Sequence, residues 1–137
     1  MRIVLDTNVL ISGIFFAGPP GQILDAWSGD RVQLVASPGI LEEYRRVANE
    51  LGRKYPQIQV QPVLDVLTAT CEICLATPLR EQVCNDASDD KFLACALAAG
   101  INTVVSGDKE LLAVSGFQGV EVVKPKVFIQ RYLEDDD

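Results

Sequence analysis

A three-layer α/β/α sandwich around a central, mainly parallel sheet is the fold class this sequence predicts, on three observations. Short apolar runs alternate with helical segments along almost the whole chain. The runs are continuous, as in "RIVL" and "TVV", with no two-residue alternation; such strands are buried on both faces, as in a parallel sheet covered by helices. With 137 residues, 48% of them hydrophobic, the chain can bury one sizeable core. We expect a single domain over residues 1–133, followed by an acidic tail at 134–137.

The elements follow in order. "RIVLD" is a short strand ending in an acid, and "TNVLISGIFF" reads as a helix whose β-branched residues weaken it. Gly18 to Gly21 is a turn from which Pro20, as an N1 proline, opens the helix "GQILDAW". After the strand "VQLVA", Ser37 and Pro38 supply a cap and an N1 proline for a long helix running to about Gly52. Ile40, Leu41, Tyr44, Val47, Ala48 and Leu51 form its apolar stripe. "PVLDVLTAT" is a further helix, and "CEICLA" reads as a buried strand. The helix "FLACALAAG" is ended by Gly100 and followed by the strand "NTVVS", the short helix "DKELLAV", the strand "VEVV" and a last helix after Pro125.

No apolar run approaches the roughly 18 residues of a membrane span. Asp6 interrupts any signal-peptide core at the N-terminus, so a soluble, cytoplasmic protein is expected, with no membrane partner. Cys71, Cys74, Cys84 and Cys95 fit that compartment as small buried thiols. A zinc site is disfavoured: the chain has no histidine, and the spacings match no finger or ribbon. The net charge of -7 argues against nucleic acid, but three of the acids lie in the terminal tail, and charge alone decides no partner.

The acids have a pattern of their own. In an open parallel sheet, ligands collect beyond the carboxyl ends of the strands. Asp6 ends the first strand, Asp108 lies just beyond "NTVVS", and Asp89 and Asp90 begin a helix on the same edge. On a helical wheel Glu43 falls about 100° from the centre of its apolar stripe and borders the buried face, whereas Glu42, at about 160°, points to water. Taken singly, Asp6, Asp89, Asp90 and Asp108 are explained as helix caps or dipole partners. Capping does not account for Glu43 at the same rim. Carboxylates gathered closely repel one another, and a cation relieves that repulsion. An all-oxygen ligand set selects a hard divalent ion, Mg2+ or Mn2+.

The stretches "LDTNVL" (5–10), "SPGILEEYRRV" (37–47), "SDDKFLACALAAG" (88–100) and "VVSGDKELL" (104–112) occur in this order. Through them the chain resembles the PIN-domain family of ribonucleases, most closely the bacterial and archaeal branch of toxin components from type II toxin–antitoxin pairs. The resemblance implies a PIN-like fold and a metal-dependent ribonuclease that leaves a 5′-phosphate and a 3′-hydroxyl. It implies Asp6, Glu43, Asp90 and Asp108 as catalytic metal ligands, Asp89 as a further candidate, and Asn8, Ser106 and Glu110 in support. One departure is "CNDASDD", where relatives carry a proline-containing turn, so the shares of Asp86, Asp89 and Asp90 stay open. The helix start is assigned to Ser88 as cap, with Asp90 as ligand.

RNA is then the expected substrate, with Arg45, Arg46, Arg53, Lys91 and Lys109 as candidate backbone contacts; a small antitoxin protein and a second copy of the chain are candidate partners. The alternative is a catalytically silent PIN-like module that binds RNA or protein. A phosphatase of the haloacid-dehalogenase type needs an aspartate where Asn8 stands, and a receiver domain needs an acid after "CEICLA".

Overall fold

The computed structural model describes residues 1–134; Asp135 to Asp137, the greater part of the expected tail, lie outside the described residues. Five strands form one parallel sheet: β1 (Arg2–Leu5), β2 (Gln33–Ala36), β3 (Glu72–Ile73), β4 (Thr103–Val105) and β5 (Glu121–Val123). Their spatial order is β3-β2-β1-β4-β5. The helices are α1 (Thr7–Phe15), α2 (Pro19–Ser28), α3 (Pro38–Lys54), α4 (Val60–Thr70), α5 (Asp90–Ala99), α6 (Lys109–Ala113) and α7 (Pro125–Phe128). A 3-10 turn, Ala87–Asp89, leads into α5, and a π turn, Ile129–Leu133, continues α7.

Right-handed connections explain the layers. The chain steps from β1 to β2 to β3 toward one edge, then returns to β4 and β5 on the other side of β1. Reversing direction puts the intervening helices on opposite faces: α1 to α4 on one, α5 and α6 on the other. Accordingly α1 packs on α2 and α3, whereas α5 lies against β1, β2 and β4. Ile3, Val4 and Leu5 of the central strand are all buried, because both of its faces are covered. No single helix among the described residues is long and apolar enough to cross a membrane.

Local chemistry sets the element ends. Ser37 accepts the Ile40 amide at 3.4 Å, with Pro38 behind it in the first turn of α3. Gly100 closes α5 in the left-handed conformation (φ 70°), which a side chain would disfavour. Gly13, in the middle of α1, is required by packing: a Cβ there would stand 2.7 Å from Leu24 and 2.9 Å from the Pro20 carbonyl of α2.

Four expectations are corrected. "CEICLA" supplies only two strand residues, at the sheet edge, with Ile73 half exposed and Leu75 81% exposed. The edge is charged instead of buried: the Arg2 Nε of β1 donates to Glu72 Oε1 at 3.0 Å. Helix α2 begins at Pro19, one residue before the expected N1 proline, and α4 begins at Val60, two residues before the expected Pro62. Ser88 is not the cap of the turn before α5; Asp86 is, accepting the Ser88 amide at 2.9 Å and the Ser88 hydroxyl at 2.8 Å.

Candidate active site

The strand order reverses between β1 and β4, and a crevice opens there beyond their carboxyl ends. Asp6 follows β1 directly and is buried. It stands at the N-cap of α1 but its carboxylate makes no capping hydrogen bond. It accepts instead from the Ser106 hydroxyl, 2.6 Å from Oδ2. The same Ser106 oxygen accepts the Asp108 amide at 3.0 Å, so one buried hydroxyl fixes the ends of β1 and β4 together. Asp108 does cap its helix, accepting the Leu111 amide at 3.1 Å, which leaves its second oxygen for the crevice.

Burial raises the Asp6 carboxyl above its ordinary value; Ser106 opposes this, and the charges of Asp108 and Glu43 add to it. Glu43, on the part-buried border of α3, accepts from the Thr7 hydroxyl on Oε2 and from Lys91 Nζ, 2.6 Å away, on Oε1. Glu42 is exposed. Next in the chain, the fully buried Tyr44 donates its hydroxyl at 2.5 Å to the carbonyl of Leu5, the residue before Asp6. Thr7 and Tyr44 were not singled out as site residues by the sequence, and Lys91 was read there only as a candidate RNA-backbone contact, although each adjoins an acid that was singled out: Thr7 follows Asp6, Tyr44 follows Glu43 and Lys91 follows Asp90.

The adjacent aspartates part company. Asp90 directs both carboxylate oxygens back to its own loop, accepting the Cys84 amide at 2.7 Å and the Val83 amide at 3.0 Å. Burial pushes Asp90 up, but those two amides prevail and hold it below the usual carboxylate range. Asp89 is pushed up to about 6, first by burial and then by the charges of Asp6, Asp86 and Asp108. Asp89 therefore feels the charges of Asp6 and Asp108, and Asp6 those of Asp108 and Glu43, whereas both oxygens of Asp90 are bonded to amides of its own loop. Asn8 is exposed and lines a cleft of about 410 Å3 with Gly107 and Asp108. Glu110 accepts from the Asn85 side chain at 3.0 Å and so ties α6 to the loop before Asp86. A second cleft, of about 600 Å3, is lined by Pro38, Leu75, Leu79, Ser88 and Lys91 on the other flank.

The donor set fits a hard cation: Asp6, Glu43, Asp89 and Asp108 offer only oxygens, and Asp6 and Asp89 both carry repulsion that a positive charge would relieve. As the side chains stand, no group of three acids or thiols among the described residues is drawn together tightly enough to hold an ion. All four cysteines are free thiols, Cys84 beside Asp90, with burial pushing Cys71 up to about 11 and Cys84 and Cys95 up to about 12.

A five-stranded parallel sheet with acids converging at its switch point defines an α/β protein with an acidic crevice at the carboxyl edge. The chain belongs to the PIN-domain family, whose profile, described as "PIN domain", matches residues 2–110. It is similar to the uncharacterized protein MJ1680 of Methanocaldococcus jannaschii, at 29% identity over 145 aligned positions covering 96% of this chain and 92% of that protein. Two solved structures share the fold. One is VapBC2 from Rickettsia felis bound to a DNA fragment from their promoter, with TM-score 0.61 and 17% identity over 90% of this chain and 98% of that one. The other is PAE2754 from Pyrobaculum aerophilum, with TM-score 0.60 and 14% identity over 96% of this chain and 88% of that one.

Proposed function

We propose that the protein is a Mg2+- or Mn2+-dependent ribonuclease, the toxin half of a type II toxin–antitoxin pair acting in the cytoplasm. The observation that carries this reading is the Ser106 hydroxyl that ties Asp6 to the Asp108 amide at the carboxyl ends of β1 and β4, with Glu43 held beside Asp6 by Thr7. Membership of the PIN-domain family supports nuclease chemistry. The VapBC2 structure, which shares the fold, supports an antitoxin partner.

Asp6, Glu43, Asp89 and Asp108 would hold the ion, with Asp89 in the place first given to Asp90. The ion's contribution is to make a water more acidic and to neutralise charge on the phosphate. Around it, Ser106 orients Asp6, and Thr7 orients Glu43. Asp89 faces the charges of Asp6 and Asp108 and would lend the ion a further carboxylate. Asp90 acts at one remove, pinning the loop at Val83 and Cys84 that leads to Asp89. Arg45, Arg53 and Lys109 are exposed and available to RNA phosphates, whereas Lys91 is engaged with Glu43.

The second reading, a silent binding module, is favoured by one observation: an ammonium of the chain itself already neutralises Glu43. Purified full-length protein incubated with mixed RNAs separates the two. Cleavage that needs manganese or magnesium, stops with chelator and is lost in Asp6→Asn supports the nuclease. RNA bound but intact under all conditions supports the module.

A further inference from the structure

Lys91 sits on α5 and Glu43 on α3, on opposite faces of the sheet, and they meet over its carboxyl edge. The Lys91 ammonium lies 2.6 Å from Glu43 Oε1 and 2.7 Å from the Ser88 carbonyl. The pair is mostly sheltered, with side-chain exposures of 25% and 21%. The ammonium also stands 5.3 Å from the centre of the Phe92 ring, a second contact that fixes its position. Its charge reaches further than Glu43, since it also pulls Asp86 and Asp89 downward. On Asp89 that pull is outweighed by burial and by the neighbouring acids. A single +1 charge therefore relieves the cluster in part.

We propose that Lys91 is a built-in counter-ion of the acidic crevice: it holds Glu43 while the crevice is empty and competes with a divalent cation for that carboxylate. The inference rests on the cation-site reading given above and adds to it a device that sets the affinity. Glu43 is shared between two positive charges that repel each other. For the cation to gain Glu43, the ammonium must yield Oε1, while Thr7 goes on holding Oε2. Lys91 is thus a positioning residue for Glu43 in the metal-free protein, and it raises the metal concentration at which the site fills. A role confined to packing, through the aliphatic stem and the Phe92 ring, would instead stabilise the fold equally with and without metal.

The test is manganese titration of the full chain by calorimetry, with thermal melts in chelator and in saturating manganese. The variants are Lys91→Gln, which keeps a hydrogen-bond donor without the charge, and Lys91→Arg, which keeps the charge. Lys91→Gln should bind manganese at least about tenfold more tightly than the parent, because a nearby like charge is removed. Its melting temperature should fall in chelator and return toward the parent's in manganese. Lys91→Arg should stay within about threefold of the parent on the same electrostatic argument. In a Glu43→Gln background the gain from Lys91→Gln should shrink to less than about threefold, since the contested carboxylate is gone and only the longer-range repulsion remains. Equal or weaker binding by Lys91→Gln, or an equal loss of melting temperature with and without metal, overturns the proposal while leaving the cation site intact. Binding by neither parent nor Lys91→Gln overturns both readings. Should Lys91→Gln fail to fold, Lys91→Met carries the same comparison.

Discussion

Asp89 and Asp90 are neighbours in the chain and face different surroundings: Asp90 accepts two loop amides, from Val83 and Cys84, while Asp89 is exposed to the charges of Asp6 and Asp108. The two carboxylates are therefore held at proton affinities on opposite sides of the ordinary value, one near 6 and one below the usual range. Opposite shifts have opposite consequences for stability, and they can be measured without any knowledge of substrate.

Asp89→Asn is expected to stabilise the metal-free protein at neutral pH. Its folded carboxyl, at about 6, binds its proton more tightly than the unfolded one does. In strong acid both states are protonated and the substitution has no effect through this group. As pH rises through the unfolded value the unfolded state alone ionises, so the penalty grows until about 6 and persists above it. Asp89 is part exposed and makes no capping hydrogen bond, so screening reduces the gain to about 1 kcal/mol. Urea melts in chelator at several pH values check this; a destabilised variant at neutral pH contradicts it.

Asp90→Asn is expected to do the reverse. The amide keeps one acceptor oxygen and loses the charge, so one of the two charge-assisted hydrogen bonds is lost and the other weakens, at a cost of about 1–2 kcal/mol. A lowered folded proton affinity contributes stability above the unfolded value and loses it as pH falls through the folded one. The parent–variant difference in the same melts should therefore close in acid. A variant as stable as the parent at neutral pH removes the loop-pinning role.

Glu43→Gln should lower RNA cleavage by at least about 100-fold, the order expected on removing one group that stabilises charge at a reacting centre. Glu42→Gln should leave it within about twofold, because Glu42 is exposed and bonded to nothing in the crevice. Initial rates on one RNA at fixed manganese decide it. Equal losses mean that the helix presents the wrong glutamate.

Tyr44→Phe should cost about 1 kcal/mol of stability, since its buried hydroxyl donates to the Leu5 carbonyl and the ring remains to fill its place. Burial holds that phenol well above its usual value, so the loss should be the same across the neutral and mildly alkaline range. Thermal melts of the two proteins at matched pH measure it.

The sequence by itself determined the sheet, the order of its elements and the edge on which acids would gather. The continuous apolar runs "RIVL" and "TVV" suit strands covered on both faces, and such strands place Asp6, Ser106 and Asp108 at their carboxyl ends. The wheel of α3 separated Glu43 from Glu42 for the same local reason: one side of that helix is apolar and must turn inward. Edge effects were less legible, and β3 came out as two residues because nothing beyond it in the sheet requires a longer run. Tertiary structure alone set Asp89 and Asp90 in different surroundings. A 3-10 turn ends at one and a helix starts at the other, so the two side chains leave the backbone in different directions. Which direction meets the crevice depends on where the amides of Val83 and Cys84 come to rest. Lys91 was decided in the same way: its partner Glu43 lies 48 residues earlier, on the far side of the sheet. Local periodicity orients a side chain relative to its own helix; the charge that it meets there is brought by the packing of another.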